Sequence, residues 1–122
     1  KIKNKLKGYQ LEDVEALESK VLAYLNPAFV PKYLHIAEQA CSNKEVLKIH
    51  YQDIVGNQTE RVIEPIGITF YSQSWHLIAY CRLRDDYRDF SLSRIQNIQS
   101  TEESFQKNHL TLTEYIQKLQ ES

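Results

Sequence analysis

Glycine, proline and cysteine are scarce in this chain, with 3, 3 and 2 residues respectively, and methionine is absent. So few glycines and prolines exclude a low-complexity or disordered protein. Cys41 and Cys81 are too few and too far apart for a disulfide framework or a zinc ribbon, so we expect two buried free thiols. No apolar run approaches the roughly 20 residues that span a bilayer, and no signal peptide is visible. We therefore expect a cytoplasmic protein without a membrane partner.

Motifs for catalysis or metal binding are also missing. The 4 histidines lie on separate segments, without H-x-x-x-H or H-E-x-x-H spacing: His35, His50, His76 and His109. Neither a G-x-S-x-G elbow nor a phosphate-binding P-loop occurs. Cys81 and His76 share one predicted strand at an odd separation, which places them on opposite faces and disfavours a nucleophile–base pair. We expect no enzymatic activity, no catalytic residue, no metal and no cofactor.

The 122 residues suffice for one domain with a modest core. A net charge of -1 argues against a uniformly basic surface that would bind nucleic acid by bulk attraction, although a local basic patch remains compatible with it. Because the chain opens with Lys1 rather than methionine, we expect it to be part of a longer protein.

Helical periodicity is found near both ends of the sequence. Residues 11–25 carry one apolar stripe and end at Asn26-Pro27. A second helix is predicted from Pro31 to about Cys41. Near the other end, Thr111 and Glu114 have the spacing of a capping box ahead of a C-terminal helix.

Alternating apolar and polar residues in the middle predict five strands, over residues 46–52, 59–71, 75–84, 88–94 and 95–101. Pro65 and Gly67 interrupt the long second strand and predict a bulge or sharp bend there. Five short strands, one of them bent, favour a small closed barrel with a helix at one end. The predicted class is therefore α+β, mainly β.

The arginines are segregated from the lysines. All of them lie between positions 61 and 94, where no lysine occurs: Arg61, Arg82, Arg84, Arg88 and Arg94. On a continuous fourth strand Arg88, Phe90, Leu92 and Arg94 would share one face. Two interpretations remain open. The arginines form surface ion pairs with acidic neighbours such as Glu64, or they bind phosphate beside stacking aromatic rings.

Several motifs together resemble the WYL domain of bacterial transcriptional regulators over residues 41–105. They are Tyr51-Gln52-Asp53, Glu60 to Pro65, Trp75 to Tyr80, and Arg88 to Ile95. In place of the family's Trp-Tyr-Leu triplet this chain has Trp75-His76-Leu77. His76 either alters ligand choice and adds pH dependence, or occupies a strand position with no effect on binding.

The resemblance implies an Sm-like or SH3-like barrel that senses an effector and regulates an attached helix-turn-helix DNA-binding module. The implied effector is single-stranded nucleic acid or a nucleotide. By position, the implied ligand-binding residues are Arg61, Arg88 and Arg94, with Tyr51, His76 and Tyr80 beside them. Arg82 and Arg84 lie outside the tighter motif and are weaker candidates.

We expect linker and packing helices in residues 1–43, the WYL-like barrel in 44–105 and a C-terminal helix in 106–122. The lysine-rich start is either a solvated linker or the end of a preceding DNA-binding part. Promoter DNA would be contacted through that helix-turn-helix, which these residues do not contain, and the regulator is expected to be a homodimer. The alternative function is a dimerisation or assembly module without any ligand. The effector, the promoter and the direction of regulation are not encoded in a recognisable form.

Overall fold

The computed structural model describes residues 31–121, so the predicted helix over 11–25 and the lysine-rich start lie outside the described residues. Helix α1 spans Leu34–Asn43, three residues later than its predicted start at Pro31. It ends at Lys44, which adopts a left-handed conformation with φ of 54° and donates its N–H to the carbonyls of Ala40 and Cys41. Leu34, Ala37 and Ala40 form its buried side.

Five strands follow α1, as the alternating pattern predicted. They are β1 (Glu45–Gln52), β2 (Gln58–Tyr71), β3 (Ser74–Cys81), β4 (Asp86–Ser91) and β5 (Ile95–Ser104). A turn at Asp53 to Asn57 connects β1 to β2, with Gly56 at a φ of 97° and the Asp53 carboxylate accepting the N–H groups of Val55 and Asn57. Such local hydrogen bonds and a residue with positive φ are typical of a tight hairpin.

All pairings in the sheet are antiparallel, in the order β4-β3-β2-β1-β5. The described strands form an open sheet with β4 and β5 at its two edges, so the prediction of a closed barrel was wrong. The sheet nevertheless curves, since Tyr51 on β1 contacts Phe90 on β4 with their ring centroids 5.0 Å apart. The assignment to an Sm-like or SH3-like class stays a prediction.

The two faces of the sheet have different coverings. The inner face packs against α1 and forms the main core, which includes Leu47, Ile49, Ile63, Leu77 and Phe90. Trp75 belongs to this core, as its strand parity predicted. The outer face is covered by the C-terminal helix α2 (Leu112–Glu121), where Ile116 is fully buried beside Tyr71, Tyr115 and Leu119. No helix within residues 31–121 is long and apolar enough to cross a membrane.

The predicted irregularity in β2 is present. The register between β2 and β3 shifts between Pro65 and Gly67, as expected for a bulge. A Cβ atom at Gly67 would lie 2.8 Å from Cβ of Leu112, so the absence of a side chain lets α2 approach the sheet closely. Gly67 thereby allows the C-terminal helix to pack close to β2.

The end of β4 differs from the prediction. The strand stops at Ser91 and a 3-10 helix, η1, spans Leu92–Arg94 before β5 begins. Alternation is lost in that turn, so the prediction that Arg88, Phe90, Leu92 and Arg94 continue along one strand face was wrong. The turn directs the chain from β4 across to β5, which pairs with β1 at the opposite edge of the sheet.

Candidate anion-binding site

Arg61 lies on β2 opposite Ile49 and is only 7% exposed. Its Nε donates to Oγ1 of Thr59 at 3.2 Å, and its NH1 donates to Sγ of Cys81 at 3.4 Å. Within residues 31–121 no carboxylate forms an ion pair with it. Burying a charge without a compensating partner is costly, so an anion from outside the domain would stabilise this guanidinium.

Arg88 shares the inner face with Arg61. It is paired with Ala79 on β3 and lies two residues before Phe90, a core residue, on β4. Its side chain is half-buried, and no ion pair or hydrogen bond of its guanidinium is formed within the described part of the chain. Within residues 31–121 Arg88 therefore does not form the ion pair with a neighbouring aspartate that was one of the two interpretations of the sequence.

Tyr51 belongs to the same side of the sheet. Its ring meets Phe90 edge-on, and its hydroxyl accepts the backbone N–H of Ser91 at 3.1 Å. On β1 it lies directly opposite Thr59, the residue that accepts a hydrogen bond from Arg61. The fold thus brings Tyr51, Arg61 and Arg88 to one face.

Arg94 is at the end of η1, immediately before β5, and is half-buried. Like Arg88, it has no ion pair with any residue of the described range. Its neighbour Ile95 is opposite Tyr51 in the β1–β5 pairing, so the backbone of Arg94 lies close to that of Tyr51.

His76 and Tyr80 are on the outer face, as their parity on β3 predicted. His76 Nδ1 lies 2.7 Å from Oδ1 of Asp89, and its ring stacks on Tyr71 at a centroid distance of 4.0 Å. The hydroxyl of Tyr71 donates to the same carboxylate. Asp89 thus accepts from two side chains beneath α2, and the structure separates His76 from the three arginines.

Tyr80 is 7% exposed and is covered by other side chains. The Lys107 ammonium lies 4.3 Å from the centre of its ring and donates to its hydroxyl at 2.9 Å. The Tyr80 hydroxyl in turn donates to Asp85. One face of the Tyr80 ring is therefore already in contact with the Lys107 ammonium.

A buried polar cluster on the outer face was not predicted from the sequence. Glu64, opposite Tyr80 on β2, is fully buried and accepts from Nε of Arg82 at 2.9 Å and from Nε2 of His109 at 2.6 Å. His109 Nδ1 lies 2.9 Å from the hydroxyl of Tyr87. The sequence signal was Glu64 itself, a carboxylate inside an apolar run, because a buried charge requires partners.

This cluster connects the sheet to the segment 105–111, which we call the strap. Burial alone would raise the pKa of Glu64, but hydrogen bonds from His109, from Arg82 and from the Gln106 N–H hold it below its ordinary value. The carboxylate is therefore ionised at neutral pH and binds both Arg82 and the strap. Arg82, a weaker candidate for the ligand site, is a structural residue in this arrangement.

A cleft of about 610 Å³ lies between the end of α1, the β2 bulge and the strap. Its lining includes Lys44, Pro65, Phe105 and His109. It includes none of the six residues predicted to bind a ligand. Among residues 31–121 no cluster of three or more histidine, cysteine, aspartate or glutamate side chains could hold a metal ion.

Comparison with known protein families bears on this arrangement. The family model described as "WYL domain" matches residues 32–100, which is more than half of the chain and contains Tyr51, Arg61, Arg88 and Arg94. The chain belongs to the WYL domain family. The matched residues begin within the turn before α1 and end inside β5, so they contain α1, the strands β1 to β4 and the first part of β5.

A curated relative is the DNA-binding transcriptional repressor CapW of Pseudomonas aeruginosa. It is 35% identical over 51 residues, which are 41% of this chain and 17% of that protein. Among solved structures, the proteasome accessory factor B/C (PafBC) of Arthrobacter aurescens superposes with a TM-score of 0.60 at 18% identity. That match covers 70% of this chain and 14% of the PafBC chain, and it establishes a shared fold. This chain thus corresponds to a small part of each of these proteins.

Proposed function

We propose that this chain is the ligand-sensing regulatory domain of a bacterial transcriptional regulator, with an arginine-lined site on the inner face of its sheet. The family match and the similarity to a DNA-binding transcriptional repressor support the regulatory role. The DNA-binding helix-turn-helix, the promoter DNA and a homodimeric, cytoplasmic regulator belong to the same proposal.

The observation that carries the proposal is the buried guanidinium of Arg61. It has no carboxylate partner within residues 31–121, although the fold does provide a buried carboxylate, Glu64, to Arg82 on the other face. Glu64 neutralises Arg82, whereas no carboxylate of the described residues neutralises Arg61. An anion from outside the domain would compensate the charge of Arg61.

The proposed ligand is single-stranded nucleic acid or a nucleotide. Guanidinium groups bind phosphate oxygens through two parallel N–H donors, and Arg88 adds a second such group on the same face. Arg94 and Tyr51 lie at the end of the sheet where β1 meets β5 and complete the proposed site. His76 and Tyr80 lie on the outer face, so a ligand bound on the inner face would not contact them in this conformation. Their role as ligand residues stays a prediction.

Ligand binding regulates only if it favours one arrangement of the full regulator over another. A ligand with equal affinity for two states does not change their populations. We propose that the anion, bound to Arg61, favours one orientation of this domain towards the DNA-binding part.

The test is fluorescence anisotropy of labelled single-stranded DNA and RNA 12-mers titrated with the domain at low and at physiological salt. We expect saturable binding that weakens with salt, since each phosphate contact releases counterions. Arg61→Gln and the double variant Arg88→Glu/Arg94→Glu are expected to lose at least about tenfold in affinity. Circular dichroism would confirm that each variant is folded.

Arg84→Glu is the matched control, because Arg84 is exposed in the turn between β3 and β4 and makes no ion pair in the described range. Arg84→Glu changes the net charge by the same amount as Arg88→Glu, but Arg84 does not lie on the inner face. Equal loss of affinity in Arg84→Glu and in Arg88→Glu would indicate nonspecific charge attraction and would contradict a defined site. Unaltered binding in the Arg61 and Arg88/Arg94 variants would also contradict it.

The second candidate is an assembly module without a ligand. Three large apolar side chains are exposed in the two hairpin turns at one end of the sheet: Ile54 at 80%, Val55 at 76% and Leu83 at 67%. Exposed apolar side chains of this kind occur in protein interfaces. If the domain is an assembly module, Ile54→Ser/Val55→Ser would reduce the mass measured by light scattering. The Arg88→Glu/Arg94→Glu variant would also reduce this mass, with no ligand present in either measurement.

A further inference from the structure

The side chain of Arg61 is held by two uncharged groups. Thr59 is two residues earlier on β2 and therefore on the same side of the strand, and its hydroxyl accepts from Nε. Cys81 is at the end of β3, and its sulfur accepts from NH1. Both contacts are internal to the sheet, and Cys81 is fully buried.

These two contacts use a minority of the donors of Arg61. A guanidinium has five N–H donors in a planar fork, one on Nε and two on each terminal nitrogen. With Nε bound to Thr59 and one N–H of NH1 bound to Cys81, the second N–H of NH1 and both N–H groups of NH2 remain for a ligand. Because the group is planar, fixing Nε and NH1 also fixes the plane and the direction of NH2.

The neutrality of the two acceptors has a consequence for charge. A carboxylate in place of Thr59 or Cys81 would orient Arg61 equally well, but it would neutralise the guanidinium, as Glu64 does for Arg82. A hydroxyl and a thiol orient the group while its charge stays uncompensated. That combination is what a preorganised anion site requires, since less ordering is needed when the ligand binds.

We infer that Thr59 and Cys81 are positioning residues of the anion site, which hold the Arg61 guanidinium in a binding orientation without neutralising it. The inference rests on the proposed function for its ligand and on the two hydrogen bonds for its geometry. Thr59 also connects the site to Tyr51, its partner across β1 and β2.

A measurement without ligand tests the geometry. In a ¹⁵N-labelled domain the Nε–H resonance of Arg61, assigned by its loss in Arg61→Gln, is expected to exchange slowly with water. Thr59→Val removes the acceptor while keeping the branched shape, and it should accelerate this exchange roughly tenfold, as the loss of a hydrogen bond to a charged group predicts. Thr59→Ser retains the hydroxyl and should exchange like the wild type.

A binding cycle tests the role in ligand capture, with a labelled single-stranded DNA 12-mer as the probe. Thr59→Val and Cys81→Ala are each expected to weaken binding several-fold, roughly 3- to 10-fold, when Arg61 is present. Neither should weaken it further in an Arg61→Gln background, and Thr59→Ser and Cys81→Ser should bind like the wild type. A merely structural role would give the same loss in both backgrounds.

The outcomes separate the inference from the proposed function. Unchanged Nε–H exchange in Thr59→Val, or equal losses of affinity with and without Arg61, would overturn the positioning role even if the domain binds the oligonucleotide. Absence of binding by the folded wild type would overturn the oligonucleotide as ligand and, with it, the role of Thr59 and Cys81 in capturing it. Faster exchange in Thr59→Val together with affinity losses that require Arg61 would support both.

Discussion

Glu64 Oε1 lies 2.6 Å from Nε2 of His109, and the two side chains are only 0% and 3% exposed. They come from β2 and from the strap, so this buried contact joins the middle of the sheet to the segment before α2. Arg82 binds the other oxygen of the same carboxylate. We therefore expect an ionised Glu64 to help hold the C-terminal helix in place.

Replacing this carboxylate should destabilise the domain. Glu64→Gln keeps the shape but leaves Arg82 with only the longer, 3.9 Å ion pair to the exposed Glu103. Breaking a buried pair costs about 3 kcal/mol. Urea denaturation at pH 7, followed by circular dichroism, measures the free energy of unfolding. Lys48→Gln, which breaks an exposed pair with Glu60, is the control and should change it by less than about 1 kcal/mol. A cost for Glu64→Gln no larger than this would contradict a structural role for the cluster.

The same residue predicts an acid dependence of stability. The pKa of Glu64 is lowered in the folded protein, so its contribution is present above the ordinary unfolded pKa of about 4.3 and is lost as the pH falls through the lower folded value. Between pH 5 and pH 2 the free energy of unfolding should fall more steeply in the wild type than in Glu64→Gln. Parallel curves for the two proteins would show that another carboxylate is responsible.

Gly67→Ala should displace α2. The added Cβ would lie 2.8 Å from Cβ of Leu112, closer than carbon atoms pack, and the backbone of the helix start cannot rotate away as a flexible side chain would. Overpacking of this kind typically costs about 1–3 kcal/mol. Hydrogen exchange should accelerate in residues 112–121 but not in β1. Gly67→Ala/Leu112→Ala removes Cδ2 and Cγ of Leu112, which would lie 2.8 and 3.0 Å from the new Cβ, but keeps the contact with Cβ of Leu112. It should therefore recover only part of the loss.

The capping box should stabilise the first turn of α2. Thr111 Oγ1 accepts the N–H of Glu114 at 3.1 Å, and the Glu114 carboxylate accepts the N–H of Thr111 at 2.9 Å. Thr111→Ala is expected to cost about 0.5–2 kcal/mol and to increase amide exchange in α2. Thr111→Ser retains the hydroxyl and should exchange like the wild type. The reciprocal pair predicted from the sequence is thus confirmed in the structure.

His76→Tyr restores the Trp-Tyr-Leu triplet and tests the role of this position. Because His76 is on the face opposite Arg61, we expect affinity for the DNA 12-mer to change by no more than about twofold. Loss of the 2.7 Å contact with Asp89 should instead lower the thermal midpoint. A large change in affinity at unchanged stability would place His76 in the ligand site and contradict our assignment of the site to the inner face.

The sequence by itself determined most of the local structure. Alternation placed the strands within a few residues of their observed ends, because a half-buried sheet imposes a period of two on its side chains. It also assigned Trp75 to the core and His76 and Tyr80 to the opposite face. Pro65 and Gly67 revealed the bulge, and Thr111 with Glu114 revealed the start of α2. These features depend on residues close together in the chain, so sequence patterns record them.

Only the tertiary structure decided which distant residues meet. The turn η1 after Ser91 removed Arg94 from the strand alternation, and the pairing order left the sheet open where a closed barrel was predicted. Neither the contact of Arg61 with Cys81 nor that of Glu64 with His109 could be read from spacing, since the partners are 20 and 45 residues apart. A charged residue inside an apolar run of the sequence indicates that a buried partner is needed. Which group compensates the charge depends on the packing of the whole domain.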